Sequence, residues 1–264
     1  MILAASPWWN TALVLSAALG YAALALGRLR LQAPAQRTLM SLTWLLHAAT
    51  LLVGFGGQPP KFGFAPALSV TAWLVLAVYA IETWVYPRLQ STLALAGLGT
   101  VAVLLAWVFP GSDHHNLPSQ WLPLHWALGV ASYAMFAMAV FHAWMMRRAE
   151  RAMRLGSSEA TPGMPLLGLE RLTFRFVGAG FVLLTATLLA GGWFAVTLTG
   201  GWVWNHKTVF SMLAWLTTAV LLWGRWRLGW RGRTAARVLY AGAGLLLLGY
   251  VGSRFVLEVL LQRA

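Results

Sequence analysis

Gly200-Gly201-Trp202-Val203-Trp204-Asn205-His206-Lys207 separates two apolar runs, residues 172–198 and 206–225. Each run has the length of roughly 20 residues that an α-helix needs to cross a bilayer core. Neither shows the ten-residue alternation of a membrane β-strand. In lipid a span must satisfy its own backbone, so both runs read as transmembrane helices. The rest of the chain agrees. Of its 264 residues, 59% are hydrophobic and only 9% are charged. A water-facing surface of this size needs far more charge. The fold class is therefore an all-α polytopic membrane protein, read as a single transmembrane domain over residues 1–264.

Eight helices are expected, at about 8–28, 38–55, 66–86, 92–109, 121–146, 172–198, 206–225 and 236–260. The loops between them sort by charge. Fifteen of the 19 basic residues fall in alternate connections: Arg28, Arg30 and Arg37; Arg88; six arginines from Arg147 to Arg175; and five from Arg225 to Arg237. Lys61, Lys207, Arg254 and Arg263 take the other side. Positive-inside logic puts the first group in the cytoplasm and both termini outside. The +13 formal charge then reports topology and not nucleic-acid binding. The implied site is a bacterial inner (cytoplasmic) membrane.

The first apolar run has no basic residue before it and Arg28 and Arg30 after it, the reverse of a signal peptide. The polar segment from Arg147 to about Glu170 reads as a cytosolic linker with a basic face to anionic lipid. Most tryptophans fall at the two interfaces, as indole prefers; Trp44, Trp73 and Trp215 lie deep. Small residues, including Gly191 and Gly192, let the sixth helix pack closely on its neighbours.

The chain has no cysteine, which excludes disulfides, thiolate ligands and covalent haem attachment through Cys-x-x-Cys-His. Its six histidines are His47, His114, His115, His125, His142 and His206. His125 and His206 open the fifth and seventh helices at the outer face. His142 lies about 25 Å further along the fifth helix, too far to share a metal with His125. His47 sits near mid-membrane. There is no His-x-x-x-His or Glu-x-x-His pair, which argues against a zinc hydrolase or a di-iron site. What remains is imidazole among flat aromatics with cations nearby, a set that suits haem. His125 and His206 would face iron, Trp121, Trp126, Trp202 and Trp204 the ring, and Lys207 and Arg254 the propionates. The same residues also suit a solvated membrane interface, and spacing alone does not choose between the two.

Trp202-Val203-Trp204-Asn205-His206-Lys207, with Met212-Leu213-Ala214-Trp215 after it, resembles the tryptophan-rich motif Trp-x-Trp-Asp-x-Lys of the cytochrome c assembly membrane proteins. That superfamily is of the CcsA, CcmC and HemX type. The chain is most similar to its compact eight-helix YpjD-like branch. Leu169-Glu170-Arg171-Leu172-Thr173-Phe174-Arg175 with Gly180-Phe181 and Thr185 resembles the helix before the motif. Gly229-Trp230-Arg231-Gly232-Arg233 and Tyr250-Val251-Gly252 resemble the family's segments beyond the motif helix. Leu124-His125-Trp126 with Ser132-Tyr133-Ala134 resembles the helix that starts with an external histidine. The family-like region covers about residues 40–260 and is strongest over 120–254.

The resemblance implies non-covalent haem b at the extracytoplasmic face, held by two histidines with the tryptophan loop against the porphyrin. It implies haem presentation to an apocytochrome c or to other cytochrome c biogenesis subunits, a carrier's task more than a catalyst's. His125 falls on one external ligand position, and His47 matches an intramembrane histidine. Three departures stand out. Asn205 replaces the motif's aspartate, His206 stands where proline is usual, and no histidine lies beyond the last helix. His206 or His114/His115 then substitutes for the second ligand, or the ligation differs. The alternative is a non-haem accessory membrane or transport-helper protein that retains the scaffold.

Overall fold

The computed structural model describes residues 7–27, 32–56, 61–85, 92–113, 121–156, 165–199, 201 and 204–261. Eight helices form where the apolar runs predict them. They are α1 (Trp8–Ala25), α2 (Ala33–Gly56), α3 (Phe64–Val85), α4 (Thr92–Val108), α5 (Leu122–Arg154), α6 (Leu166–Thr199), α7 (His206–Leu228) and α8 (Gly232–Leu247). The helix begun by α8 continues through two π turns, Leu248–Gly252 and Val256–Leu260, on either side of Ser253–Phe255. Among the described residues, seven helices are long and apolar enough to cross a membrane, counting α8 with its continuation to Leu260. The remaining one, α4, has 17 residues.

Two features depart from the sequence expectation. The described parts of the segment from Arg147 to Glu170 are largely helical, since α5 runs on to Arg154 and α6 begins at Leu166. Arginine, alanine, methionine and glutamate are good helix formers. Leu169, in the α6 extension, is buried in a cluster with Met146 of α5 and Leu172. The second feature is a short antiparallel ladder between β1 (Lys61–Phe62) and β2 (Ser112–Asp113), pairing Lys61 with Asp113 and Phe62 with Ser112. Gly111 enters this ladder at φ +86°, a conformation that disfavours any side chain. A Cβ there would also lie 2.6 Å from the Phe62 carbonyl.

The chain forms two compact units. The first comprises Met1–Trp84, Ser91–Leu117 and Arg254–Ala264; the second comprises Val85–Gln90 and Pro118–Ser253. In the first unit α1 packs between α2 and α4. Tyr21 of α1 lies flat against Gly99 of α4, where a Cβ would sit 2.9 Å from its ring. Trp44 of α2 and Trp73 of α3 stack at 4.5 Å, and each indole N–H donates to the other's backbone carbonyl, at 3.1 and 3.2 Å.

In the second unit α5 packs on α6 and α8, and α7 packs on α6 and α8. The four helices thus form a ring with α5 and α7 on its diagonal. Side-chain contacts show that neighbours run antiparallel. Going along α5, His125 meets Gly191, Gly129 meets Thr187, and Phe136 meets Gly180 of α6. On α7, Ser211 meets Gly249, Thr218 meets Gly242 and Gly224 meets Trp230, in the order opposite to α8. The core between them is built on Phe136, Val177, Leu184, Leu221, Leu239 and Leu246. Trp215 of α7 stacks on Phe181 of α6 at 5.4 Å and donates its indole N–H to Thr185 Oγ1 at 2.9 Å. All three deep tryptophans therefore satisfy their N–H inside the protein, which apolar surroundings demand.

Candidate functional site

The up-down order of the second unit gathers four helix ends. The starts of α5 and α7, the end of α6 and the π turn after α8 share one end of the bundle. His125 and His206 therefore open diagonal helices at the same end.

His125 lies in the first turn of α5. Trp121 caps that helix and Pro123 occupies its second position, where a missing N–H does no harm. The His125 amide closes the first turn on the Trp121 carbonyl at 3.2 Å. Its imidazole turns onto α6, toward the Thr187 backbone and Gly191. A Cβ on Gly191 would lie 3.2 Å from Cε1, so only glycine leaves the ring this room. Phe194 meets the ring edge-on at 5.9 Å. Nδ1 is buried without a hydrogen bond of good geometry, and the Thr187 backbone is the polar group beside the ring.

His206 is exposed, at the first position of α7. Asn205 caps that helix: its Oδ1 accepts from the Thr208 amide at 3.0 Å and from the Thr208 hydroxyl at 3.2 Å. A carboxylate at this position would cap the helix in the same way. Lys207 reaches over the Tyr250 ring at 5.9 Å. Tyr250 lies in the first π turn, and Gly249 beside it lets that turn approach Phe210 and Ser211 of α7. The Tyr133 hydroxyl of α5 donates to the Leu246 carbonyl, just before the π segment. Trp121 and Trp204 expose most of their indole surface, and Trp126 is half-buried. Trp202, His114 and His115 lie outside the described residues.

The other two candidates belong to the first unit. Arg254 pairs with Glu258 at 3.6 Å, one turn on. His47 is fully buried, with Nε2 at 2.8 Å from Ser69 Oγ and Nδ1 at 3.4 Å from the Tyr21 hydroxyl. Both its nitrogens are engaged, and it ties α1, α2 and α3 together. Among the described residues there is no cluster of three histidine, cysteine, aspartate or glutamate side chains arranged to hold a bare metal ion.

Residues 33–261 match the family model described as cytochrome C assembly protein. The chain belongs to the cytochrome c assembly protein family. It is 35% identical over 201 residues to the inner membrane protein YpjD of Escherichia coli K12, across 73% of this chain and 75% of that protein. It is 26% identical over 259 residues to the cytochrome c biogenesis protein CcsA of Synechococcus sp. WH7803, across 82% of this chain and 81% of the relative. This family member is a multi-pass inner-membrane protein with a role in cytochrome c biogenesis.

The residue types at this end fit haem in one respect above others. An imidazole has been placed in a tight slot with Nδ1 buried without a hydrogen bond of good geometry. Sequence reasoning named His125 as a candidate but took Gly191 only as a packing glycine and did not foresee Phe194. It also missed Tyr21 and Ser69 around His47. A lone serine or tyrosine in a span gives no sign of its partner.

Proposed function

We propose that this family member binds haem b non-covalently and handles it for cytochrome c assembly. The site is the end of the second unit where α5 and α7 begin. The observation that carries this reading is His125, whose ring is set by Gly191 and Phe194 and whose buried Nδ1 has no hydrogen bond of good geometry. His125 is the leading iron ligand. His206, exposed at the same end of the bundle, offers a second imidazole. His47 would take part only by giving up its bonds to Ser69 and Tyr21.

Trp121, Trp126, Trp202 and Trp204 supply apolar ring faces, as flat aromatics do for porphyrins. Lys207 supplies a cation for carboxylates, whereas Arg254 belongs to the first unit and pairs with Glu258 there. When bound, haem brings an iron that accepts imidazole and propionates that accept charge-assisted hydrogen bonds. The chain's part is to hold and orient that group at the extracytoplasmic face. It acts there as a carrier toward an apocytochrome c or another biogenesis subunit.

The test is spectroscopic. Protein purified from haem-replete cells should show a Soret band, with resolved α and β bands on reduction. His125→Ala should lose most of that absorption at unchanged yield. A colourless preparation that takes up no haem on reconstitution would sink the proposal. Deletion of the gene should then lower cytochrome c content. A change confined to metal or solute sensitivity would favour the accessory-scaffold reading.

A further inference from the structure

The helix begun by α8 loses its regular pattern where Tyr133 of α5 meets it. The Tyr133 hydroxyl donates to the Leu246 carbonyl. The Tyr250 backbone N–H faces the same phenolic oxygen. In a continuous α-helix that amide would close on that carbonyl, four residues back. The hydroxyl thus stands in the ladder between the two groups, and an inserted side chain is a known cause of helix irregularity. The Ser253 amide closes on the Leu248 carbonyl, five residues back, and Leu248–Gly252 form the π turn.

That turn faces the start of α7. Gly249 brings it against Phe210 and Ser211, and a Cβ there would lie 3.6 Å from the Lys207 carbonyl. Tyr250 is the next residue, and the Lys207 ammonium lies over its ring at 5.9 Å. A cation in the first turn of a helix meets the positive end of the helix dipole. An aromatic face offsets part of that cost. The ring's position depends on the π turn, which closes over one residue more than an α turn. Without it, residues from Tyr250 onward would be swung round by up to about 100°, one residue of a 3.6-residue turn. The ring would then leave Lys207.

We propose that Tyr133 is a positioning residue for Lys207: its hydroxyl holds the π turn, and the π turn keeps the Tyr250 ring as the platform from which the ammonium meets a porphyrin carboxylate. Tyr133 acts through its neighbours. It lies about 12 Å past His125 along α5, and its ring packs on the core of the second unit. The carboxylate as ligand rests on the haem reading above; the placement of Lys207 does not.

The experiment has two arms, both on the detergent-solubilised full chain. Lys61 and Lys207 are its two lysines. Reductive methylation with carbon-13 formaldehyde keeps their charge and gives each an NMR signal. In the haem-free protein the Lys207 signal should move downfield in Tyr250→Leu, as it leaves the face of the ring, and should move likewise in Tyr133→Phe. The Lys61 signal should hold still in both. An unmoved Lys207 signal in Tyr133→Phe overturns the proposal. The second arm titrates haem and its dimethyl ester, which lacks the free carboxylates. Tyr133→Phe should weaken haem about tenfold, the scale of one hydrogen bond to a charged group, and leave the ester's affinity and the Soret position unchanged. Equal weakening of both porphyrins, the result of a merely structural role, overturns the proposal. A parent that binds neither porphyrin defeats the haem reading, and the lysine signal still decides for or against Tyr133. Should Tyr133→Phe fail to purify, Tyr250→Leu is read in both arms: a moved Lys207 signal with loss of haem but not of the ester supports the proposal, and any other result overturns it.

Discussion

His125 and His47 look alike in sequence, each a single histidine in an apolar run, yet their surroundings assign them different work. His47 sits between two hydroxyls in the first unit. Removing it strands Tyr21 and Ser69 where no water can replace it. His47→Ala should therefore destabilise the protein by about 1–3 kcal/mol for the orphaned partners, with a further loss for the cavity. Chemical unfolding in mixed micelles measures this, and Ser69→Ala should fall well short of it. His125 is held by shape. Gly191→Ala would set a methyl 3.2 Å from Cε1 and push the ring. Soret absorption should fall while yield and unfolding midpoint hold, because the change touches the orientation of the ring and little else. Equal absorption in Gly191→Ala and the parent would show that the slot does not position the ligand. Sequence reading separates the two histidines only by depth. What distinguishes them is the partner across the helix interface, and a single chain does not state its interhelical register.

At the scale of elements, the spans were legible and their ends and irregularities were not. Twenty apolar residues in lipid leave one outcome, which is why all eight helices lie where the runs put them. The helical extensions of α5 and α6 were hidden because polarity reads as loop. In α6 the extension buries Leu169 in a cluster with Met146 of α5, a tertiary contact. The π turns after α8 have no local signature beyond Gly249 and Gly252. At the start of α7, Asn205, which the sequence shows only as a departure from the motif's aspartate, is a helix cap. Asn205→Ala should cost about 1 kcal/mol of stability, and Asn205→Asp almost none. If both lower stability equally, the Thr208 bond is not what Asn205 contributes. The other end of α7 stops at Gly229, φ +64°, and folds Trp230 back against Gly224. A Cβ on Gly224 would lie 2.5 Å from that ring. Gly224→Ala should accordingly destabilise by about 1–3 kcal/mol, the range for overpacking a close contact.

For the whole molecule, charge asymmetry makes a claim that packing alone does not make: which face of the membrane each connection occupies. Fifteen basic residues lie in alternate connections and four in the others. If that bias sets orientation, the end carrying His125, Asn205 and His206 faces out and the opposite end faces the cytoplasm. The chain is suited to a direct test because it has no cysteine to confuse labelling. Gly201→Cys adds a thiol where a Cβ meets nothing within 4 Å, and Leu155→Cys places one at a residue that is 83% exposed. In intact cells a membrane-impermeant maleimide should modify the first and spare the second. After permeabilisation both should react. The opposite pattern would turn the bundle over. It would put the tryptophan loop in the cytoplasm, where an apocytochrome awaiting haem on the outer face cannot meet it. The labelling result therefore bears on function as much as on topology. An outward Gly201 is necessary for the proposed haem presentation on that face.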